Sequence, residues 1–419
     1  MKPRQRGRIL LRAADLLAAR ADDVGKVETQ DNGKPIFEAA KIDMPAAAEC
    51  LSYFGESADK LYGDTFPGRK DAFLMTLREP VGVVGAITPW NFPLLQAMWK
   101  IAPALALGNA VVLKPASATP LTALMFAELL TEAGLPPGAF NVIPGPGALV
   151  GQAMAEHPGI DKISFTGETE TGKAILRAAA GTVKRVSMEL GGKSPNIVFA
   201  DADLDAAAKG AINGIFYGKG ELCSAGSRLL VEESVHDALM EKVVDRAKKM
   251  TPGDPLDPKT RLGSLVSEKQ RENVARYVAA GRKEGAQLVA GGNAASVNGK
   301  GAFFEATVFD GVAPSMTIAR EEIFGPVLAT LSFKNEDEAV AIGNATIYGL
   351  AAAVWTRDIK KALRAAKALK AGTVWVNTYN FYDPGLPFGG YKESGFGRER
   401  GHAALEEYTQ VKSIWVDLT

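Results

Sequence analysis

Between Val81 and Gly192, short apolar runs rich in β-branched residues alternate with helix-patterned stretches, and this rhythm restricts the fold more than any other feature. The runs "VGVVGAIT", "AVVLKPA", "FNVIPG", "KISFTG" and "KRVSMELGG" read as strands. Helices are expected over Leu94 to Leu107, Pro120 to Ala133, Ala148 to His157 and Thr171 to Ala180. Parallel strands need crossover helices, and those helices cover both faces of the sheet. Ligands of such sheets lie outside the carboxyl ends of the strands. The segments "TPWN", "KPAS", "IPG", "FTGET" and "ELGG" are therefore where chemistry is expected.

A second α/β region runs from about Lys193 to Gly390, with "SRLLVEE", "GPVLATLSF" and "GTVWVN" as strands. Thr65 to Glu79 and the alternating C-terminal "EYTQVKSIWVDL" fit neither region and read as strands that reach another subunit. Composition closes off several classes of function. Lys plus Arg and Asp plus Glu both number 48, so no charge excess favours nucleic acid or an anionic membrane. The uncharged stretch Val81 to Trp99 is long enough to span a bilayer, but Pro89, Asn91 and Pro93 break it. The Arg-rich, amphipathic start reads as a surface helix, because Asp15 interrupts it and serine is absent. Two cysteines outside any CxxC pair imply a reducing compartment, the cytoplasm. No metal site is expected.

One of those cysteines, Cys223, is followed by Ser224, Ala225 and Gly226, small neighbours that leave a sulfur room. A nucleophilic thiol needs access, a base and donors for a developing oxyanion; a buried inert thiol needs none of these. Cys50 lies on an apolar helix face and reads as core. His157, His236 and His402 all lie in loops or charged segments, so a Cys-His pair is not expected. Glu189, at a strand end before Gly191 and Gly192, is a candidate base, although such a residue also serves as a surface or capping group. "FTGETETG" turns from strand into helix and suits an anion at the helix N-terminus, without the GxGxxG pattern.

Taken together, "PWNFP" (89–93), "KPAS" (114–117), "FTG" (165–167), "ELGGKSP" (189–195), "CSAGSR" (223–228), "EEIFGP" (321–326) and "PFGGYKESGFGRE" (387–399) resemble the aldehyde dehydrogenase superfamily, in its hydrolytic NAD(P)-dependent branch. The resemblance implies a doubly wound parallel-sheet cofactor domain (1–61 and 81–191), an α/β catalytic domain (192–400) and a small β oligomerisation element (62–80 and 409–419). It implies Cys223 as the thiol that attacks an aldehyde, with the Asn91 amide and the Cys223 backbone N–H as oxyanion donors. Glu189 matches the base for thioester hydrolysis, which favours a free acid over a CoA ester. Lys100 and Glu399 match a proton relay, or form an ordinary salt bridge. For NAD or NADP, the matching positions are Thr88, Pro89, Trp90, Lys114, Ser117, Thr166, Gly167, Glu168, Leu190, Glu322 and Phe324. Phe92, Met98, Trp99, Tyr382 and Phe388 match the aldehyde tunnel. A homodimer or homotetramer follows.

Three departures stand out. Ser117 occupies a position where many NAD-preferring members carry glutamate, so NADP use is expected, alone or beside NAD. Glu168 replaces the serine common after "FTG", a charge that would repel a pyrophosphate unless it points away. The family usually has a further segment ahead of the helix that "PRQRGRILLRAADLL" resembles, so peripheral strands of the cofactor domain are expected to be missing. The tunnel residues are aromatic and apolar with no evident arginine, which favours a medium aliphatic or aromatic aldehyde over a dicarboxylic semialdehyde. The competing readings are a thiol esterase and a cofactor-incompetent paralogue with a structural or binding role.

Overall fold

The computed structural model describes residues 1–419. Two parallel sheets form its centre. In the first, the strand order is Phe140–Val142, Ala110–Lys114, Val83–Ile87, Lys162–Thr166, Arg185–Glu189. The first strand in sequence thus sits in the middle, with later strands added on one side and then the other. That reversal between Val83–Ile87 and Lys162–Thr166 makes a crevice at their carboxyl ends, the place where doubly wound sheets hold ligands. Thr88 and Gly167 follow directly on those two strands.

The helix Pro93–Ala106 covers this sheet. A proline at its first position lacks only an N–H that would be unpaired there anyway. Nearly every residue of the helix is buried, because helices 3–19 and 44–57 pack on its other side. A sixth strand comes from far along the chain: Gly395–Phe396 adds an antiparallel edge to Arg185–Glu189, and helix Gly401–Glu407 docks on Pro93–Ala106. The chain after residue 390 therefore returns to the first sheet, which a boundary at residue 400 does not capture.

The second sheet runs Gln287–Ala290, Thr307–Asp310, Val327–Phe333, Arg228–Glu232, Pro195–Val198, Ala351–Trp355, Thr373–Val376. All neighbours are parallel except the first pair. The strands at 195–198, 287–290, 307–310 and 351–355 lie outside the sequence pattern given above. Ala351-Ala352-Ala353 is the clearest case: alanine favours helix, yet this run is a wholly buried inner strand where small side chains fit between two covered faces. A separate antiparallel sheet pairs Ala72–Pro80 with Thr409–Asp417 along their whole length, with Thr65–Phe66 on the other side. No helix is long and apolar enough to cross a membrane.

Candidate active site

The two sheets are joined at the site by a pair of glycines. Arg185–Glu189 ends at Glu189, and Leu190, Gly191 and Gly192 lead into the second region. A Cβ on Gly192 would lie 2.3 Å from the Cys223 carbonyl oxygen, and one on Gly191 would lie 2.2 Å from Glu322 Oε2. Only glycine lets the backbone approach both. Gly192 N–H also donates to Glu322 Oε1 at 2.9 Å. Glu189, Cys223 and Glu322, distant in sequence, are thereby brought around one turn.

Cys223 is partly accessible and lines a cavity of about 980 Å³. It follows a tight loop in which Gly218, Lys219 and Gly220 all have positive φ (57°, 64° and 74°). Burial pushes its thiol up, and the nearby Glu189 and Glu322 carboxylates push it further. The thiol therefore rests protonated and needs a base before it can attack. Glu189 is 4% exposed, and neither carboxylate oxygen has a hydrogen-bond partner. Burial and the Glu399 charge raise it well above the ordinary carboxylate range. Glu399 pairs with Lys100, which also donates to Thr166 Oγ1 at 2.6 Å. Asn91 donates from its amide to the Glu221 carbonyl at 2.9 Å, two residues before Cys223. Its second N–H remains for another acceptor.

The crevice holds the other predicted residues. Thr88 is buried with an unpartnered Oγ1. Trp90 meets Phe324 edge-on at 5.1 Å, so the first region touches the second across the crevice, and Pro89 beside it is half-buried. Lys114 is 3% exposed and spends one donor on the Pro115 carbonyl, at 2.9 Å. Thr166 and Leu190 are buried, and Gly167 N–H donates to the Glu189 carbonyl at 3.0 Å. Burial pushes Glu322 up to about 7.

This arrangement has known counterparts. The sequence model described as "Aldehyde dehydrogenase family" matches residues 1–414. The chain belongs to the aldehyde dehydrogenase family. Human retinaldehyde dehydrogenase 3 is 49% identical over 414 residues, which cover 99% of this chain and 80% of that one. Betaine aldehyde dehydrogenase of Mesorhizobium japonicum is 49% identical over 419 residues, covering 100% and 86%. A crystal structure of indole-3-acetaldehyde dehydrogenase complexed with NAD+ superposes with a TM-score of 0.98 at 49% identity, covering 100% of this chain and 85% of that one.

Against the expectations for an aldehyde dehydrogenase, the structure makes four adjustments. Phe92, Trp99, Tyr382 and Phe388 line the cavity, but Met98 does not: it is fully buried in the helical core beside the first sheet. Positions 92, 95, 96 and 99 face the cavity, and 98 is out of phase with that stripe. Ser117 is exposed, and its hydroxyl already donates to the Gly145 carbonyl at 2.7 Å, so its proton is engaged within the chain. Glu168 is exposed at the start of helix Thr169–Ala179, and its charge bears on Glu322. Finally, the cavity does hold arginines, Arg261 and Arg400.

Sequence reasoning also missed a buried charged cluster behind the Cys223 loop. Lys34 pairs with Asp43, and Lys219 pairs with Glu221 at 2.7 Å while donating to Asn32 Oδ1 at 2.8 Å. Glu38 accepts from Gly218 N–H at 3.1 Å. The motif-free charges of "ETQDNGKPIFEAAKID" were the available signal.

Proposed function

We propose that the protein oxidises an aldehyde to its carboxylic acid with NAD or NADP. The observation that carries this reading is the meeting of Cys223, Glu189 and Glu322 around Gly191-Gly192 at the edge of a cavity of about 980 Å³. Cofactor fit is supported by the crevice itself. The orphaned Thr88 Oγ1 and the remaining donors of buried Lys114 are polar groups without other work, and Gly191, where a Cβ would meet Glu322 Oε2 at 2.2 Å, keeps the backbone close to that carboxylate. Thr88 to Trp90, Lys114, Thr166, Gly167, Leu190, Glu322 and Phe324 would hold it. When bound, its nicotinamide accepts the hydride that leaves the aldehyde carbon.

The chain's own groups do the rest. The Cys223 thiol passes its proton to the Glu189 carboxylate, whose charge already bears on it, and the sulfur adds to the carbonyl carbon. The free N–H of Asn91 and the Cys223 backbone N–H stabilise the oxyanion. Once the carbon is at the acyl level, Glu189 takes a proton from water, and that water displaces the sulfur as the acid is released. Lys100 and Glu399 carry the proton away from Glu189, with Thr166 orienting Lys100. A raised carboxylate suits this role, because the same burial that raises it makes it a stronger base toward water.

The test is reduced-cofactor formation at 340 nm with a panel of aldehydes, beside a Cys223→Ser control. Turnover that persists in Cys223→Ser, or none with any aldehyde in the intact protein, would overturn the reading. With no carboxylate at position 117, both cofactors are expected to be accepted; a large NAD preference in the specificity constants removes the NADP half. Two free cysteines fit a reducing, cytoplasmic setting. A homodimer or homotetramer is supported by the outer edge of Thr409–Asp417, where Val411, Trp415 and Val416 are exposed and no strand of the chain pairs. A monomer in light scattering would refute it.

A further inference from the structure

We infer that Arg400 is a specificity-determining residue that selects aldehydes bearing a carboxylate a short chain away from the carbonyl. The inference deepens the proposed function and rests on Cys223 being the site of attack. Arg400 directly follows Glu399 and lines the same cavity as Cys223. The residue is 6% exposed, and its Nε is buried with no hydrogen-bond partner. The charges that bear on it from Asp383 and Glu49 act without a hydrogen bond, and both those residues are exposed to water. Its guanidinium lies over two aromatic rings instead, 5.1 Å from the Trp99 centroid and 5.3 Å from that of Tyr382.

Such a group is costly where it stands. A buried guanidinium keeps its charge and its five donors, and cation–π contact satisfies only part of that demand. The backbone adds to the cost: Arg400 has φ 65° and ψ 169°, a region otherwise occupied almost only by glycine. A carboxylate entering the cavity would supply the missing acceptor in a bidentate, charge-assisted pair. Four carboxylates, Glu38, Asp43, Glu49 and Asp257, line the cavity, and none is in a hydrogen bond or ion pair with Arg400. Glu38 is pushed up to about 8 and is neutral at pH 7, and Asp43 is held by Lys34. Lys209, Lys249, Lys259 and Arg261 line the cavity as well and favour entry of an anion.

Reach sets the substrate's length. Tyr382, under the Arg400 guanidinium, hydrogen-bonds through its OH to Ser224 Oγ at 2.7 Å, and Ser224 follows Cys223. One aromatic ring separates the guanidinium from the neighbour of the reacting sulfur. The fitting class is a short ω-oxo carboxylate, a semialdehyde of a dicarboxylic acid, with its carboxylate on Arg400 and its carbonyl at Cys223.

The experiment compares 4-oxobutanoate and 5-oxopentanoate with pentanal and hexanal. In the intact protein the oxo acids are expected to have kcat/KM about 100-fold higher, mainly through a lower KM, because a site built around a polar group rejects the analogue lacking it. Arg400→Leu keeps most of the buried volume and should bring the ratio to within about threefold; Arg400→Lys should keep part of it, having charge without the planar fork. A second readout needs neither turnover nor cofactor. Glutarate should raise the melting temperature of the Cys223→Ala protein, glutaramide should not, and Arg400→Leu should abolish the rise. Equal or better use of the neutral aldehydes by the intact protein overturns the inference, as does a preference for the oxo acids that survives in Arg400→Leu. If no aldehyde of either kind is oxidised, the reading of Cys223 falls, while the glutarate shift still decides Arg400.

Discussion

Two clusters of buried charge flank the Cys223 loop, and they are built on opposite terms. Behind the loop, Lys34, Asp43, Lys219, Glu221, Glu38 and Glu28 are closed on one another and on fixed backbone groups; the two oxygens there without a hydrogen bond, Glu28 Oε1 and Glu221 Oε2, each face a lysine, at 4.0 and 2.7 Å. Tyr217 OH donates to Asp43 Oδ1 at 3.0 Å, Val266 N–H to Glu221 Oε1 at 3.1 Å, and Leu94 N–H to Glu28 Oε2 at 3.2 Å. In front, both oxygens of Glu189, Oε2 of Glu399 and Oδ1 of Asn91 have no partner. A buried polar group without a partner costs stability that the fold must supply from elsewhere, so such groups gather where a substrate completes them. Paired charges specify how the loop sits; unpaired ones are available for chemistry. Replacements in the front cluster should therefore cost activity and spare stability, and those in the rear should do the reverse.

The sharpest test is Glu189→Gln. Steady turnover should fall by roughly 10²- to 10⁴-fold, the scale of a lost general base. A single burst of reduced cofactor should remain if Glu189 acts mainly on water. The melting temperature should hold or rise, because the carboxyl replaced is buried and has no hydrogen-bond partner to lose. Steady turnover at the wild-type rate would show that another group activates water.

Lys34→Met should give the mirror image. It leaves Asp43 buried and uncompensated beside Glu28 and Glu38, and breaking such a pair costs about 3–5 kcal/mol in chemical denaturation. Activity per folded molecule, measured well below the unfolding midpoint, should stay within about tenfold, given that Lys34 also lies over the Phe92 ring at 3.8 Å. A variant of normal stability with no activity would erase the distinction between the clusters. Asn91→Ala tests the point where they touch, since the Asn91 amide hangs on Glu221. Removing one oxyanion donor should lower kcat/KM by about 10²- to 10³-fold. A loss confined to KM would instead mean that Asn91 only shapes the ground state.

The front cluster was largely legible in the sequence and the rear was not. Glu189 and Cys223 lie in glycine-rich turns at strand ends, and local pattern marks those. Asn32 and Lys219, by contrast, belong together only because the fold joins them across 187 positions, and no local pattern carries that. Met98 was misplaced although the information was present: the stripe 92, 95, 96, 99 already leaves it on another face. Arg400 gave no signal because it sits in an irregular turn at positive φ, where neither helical nor strand periodicity says which way a side chain points. The inner strand at 351–355 was hidden by its three alanines, whose helical preference loses to burial between two faces.

The smallest predicted effect separates the clusters by pH. Burial raises Glu38 from 4.5 to about 8 and Glu28 from 4.5 to about 7. In the unfolded chain both lose their protons near 4.5, while the folded protein still holds them. The folded state then binds more protons than the unfolded state between those limits, and stability falls as pH rises through the window. Above about 8 this contribution is flat. Glu189 has the same sign in stability but the opposite one in function, because the carboxylate is the working form and kcat should climb as pH rises through its raised value. The protein should lose melting temperature from pH 5 to 8, and turnover should rise with pH as Glu189 gives up its proton. Glu38→Gln, which retains an acceptor for Gly218 N–H, should flatten the melting curve against pH and leave the shape of the kcat profile alone. If it instead moves the pH profile of kcat, the rear cluster is electrically part of the active site and the division drawn between the two fails.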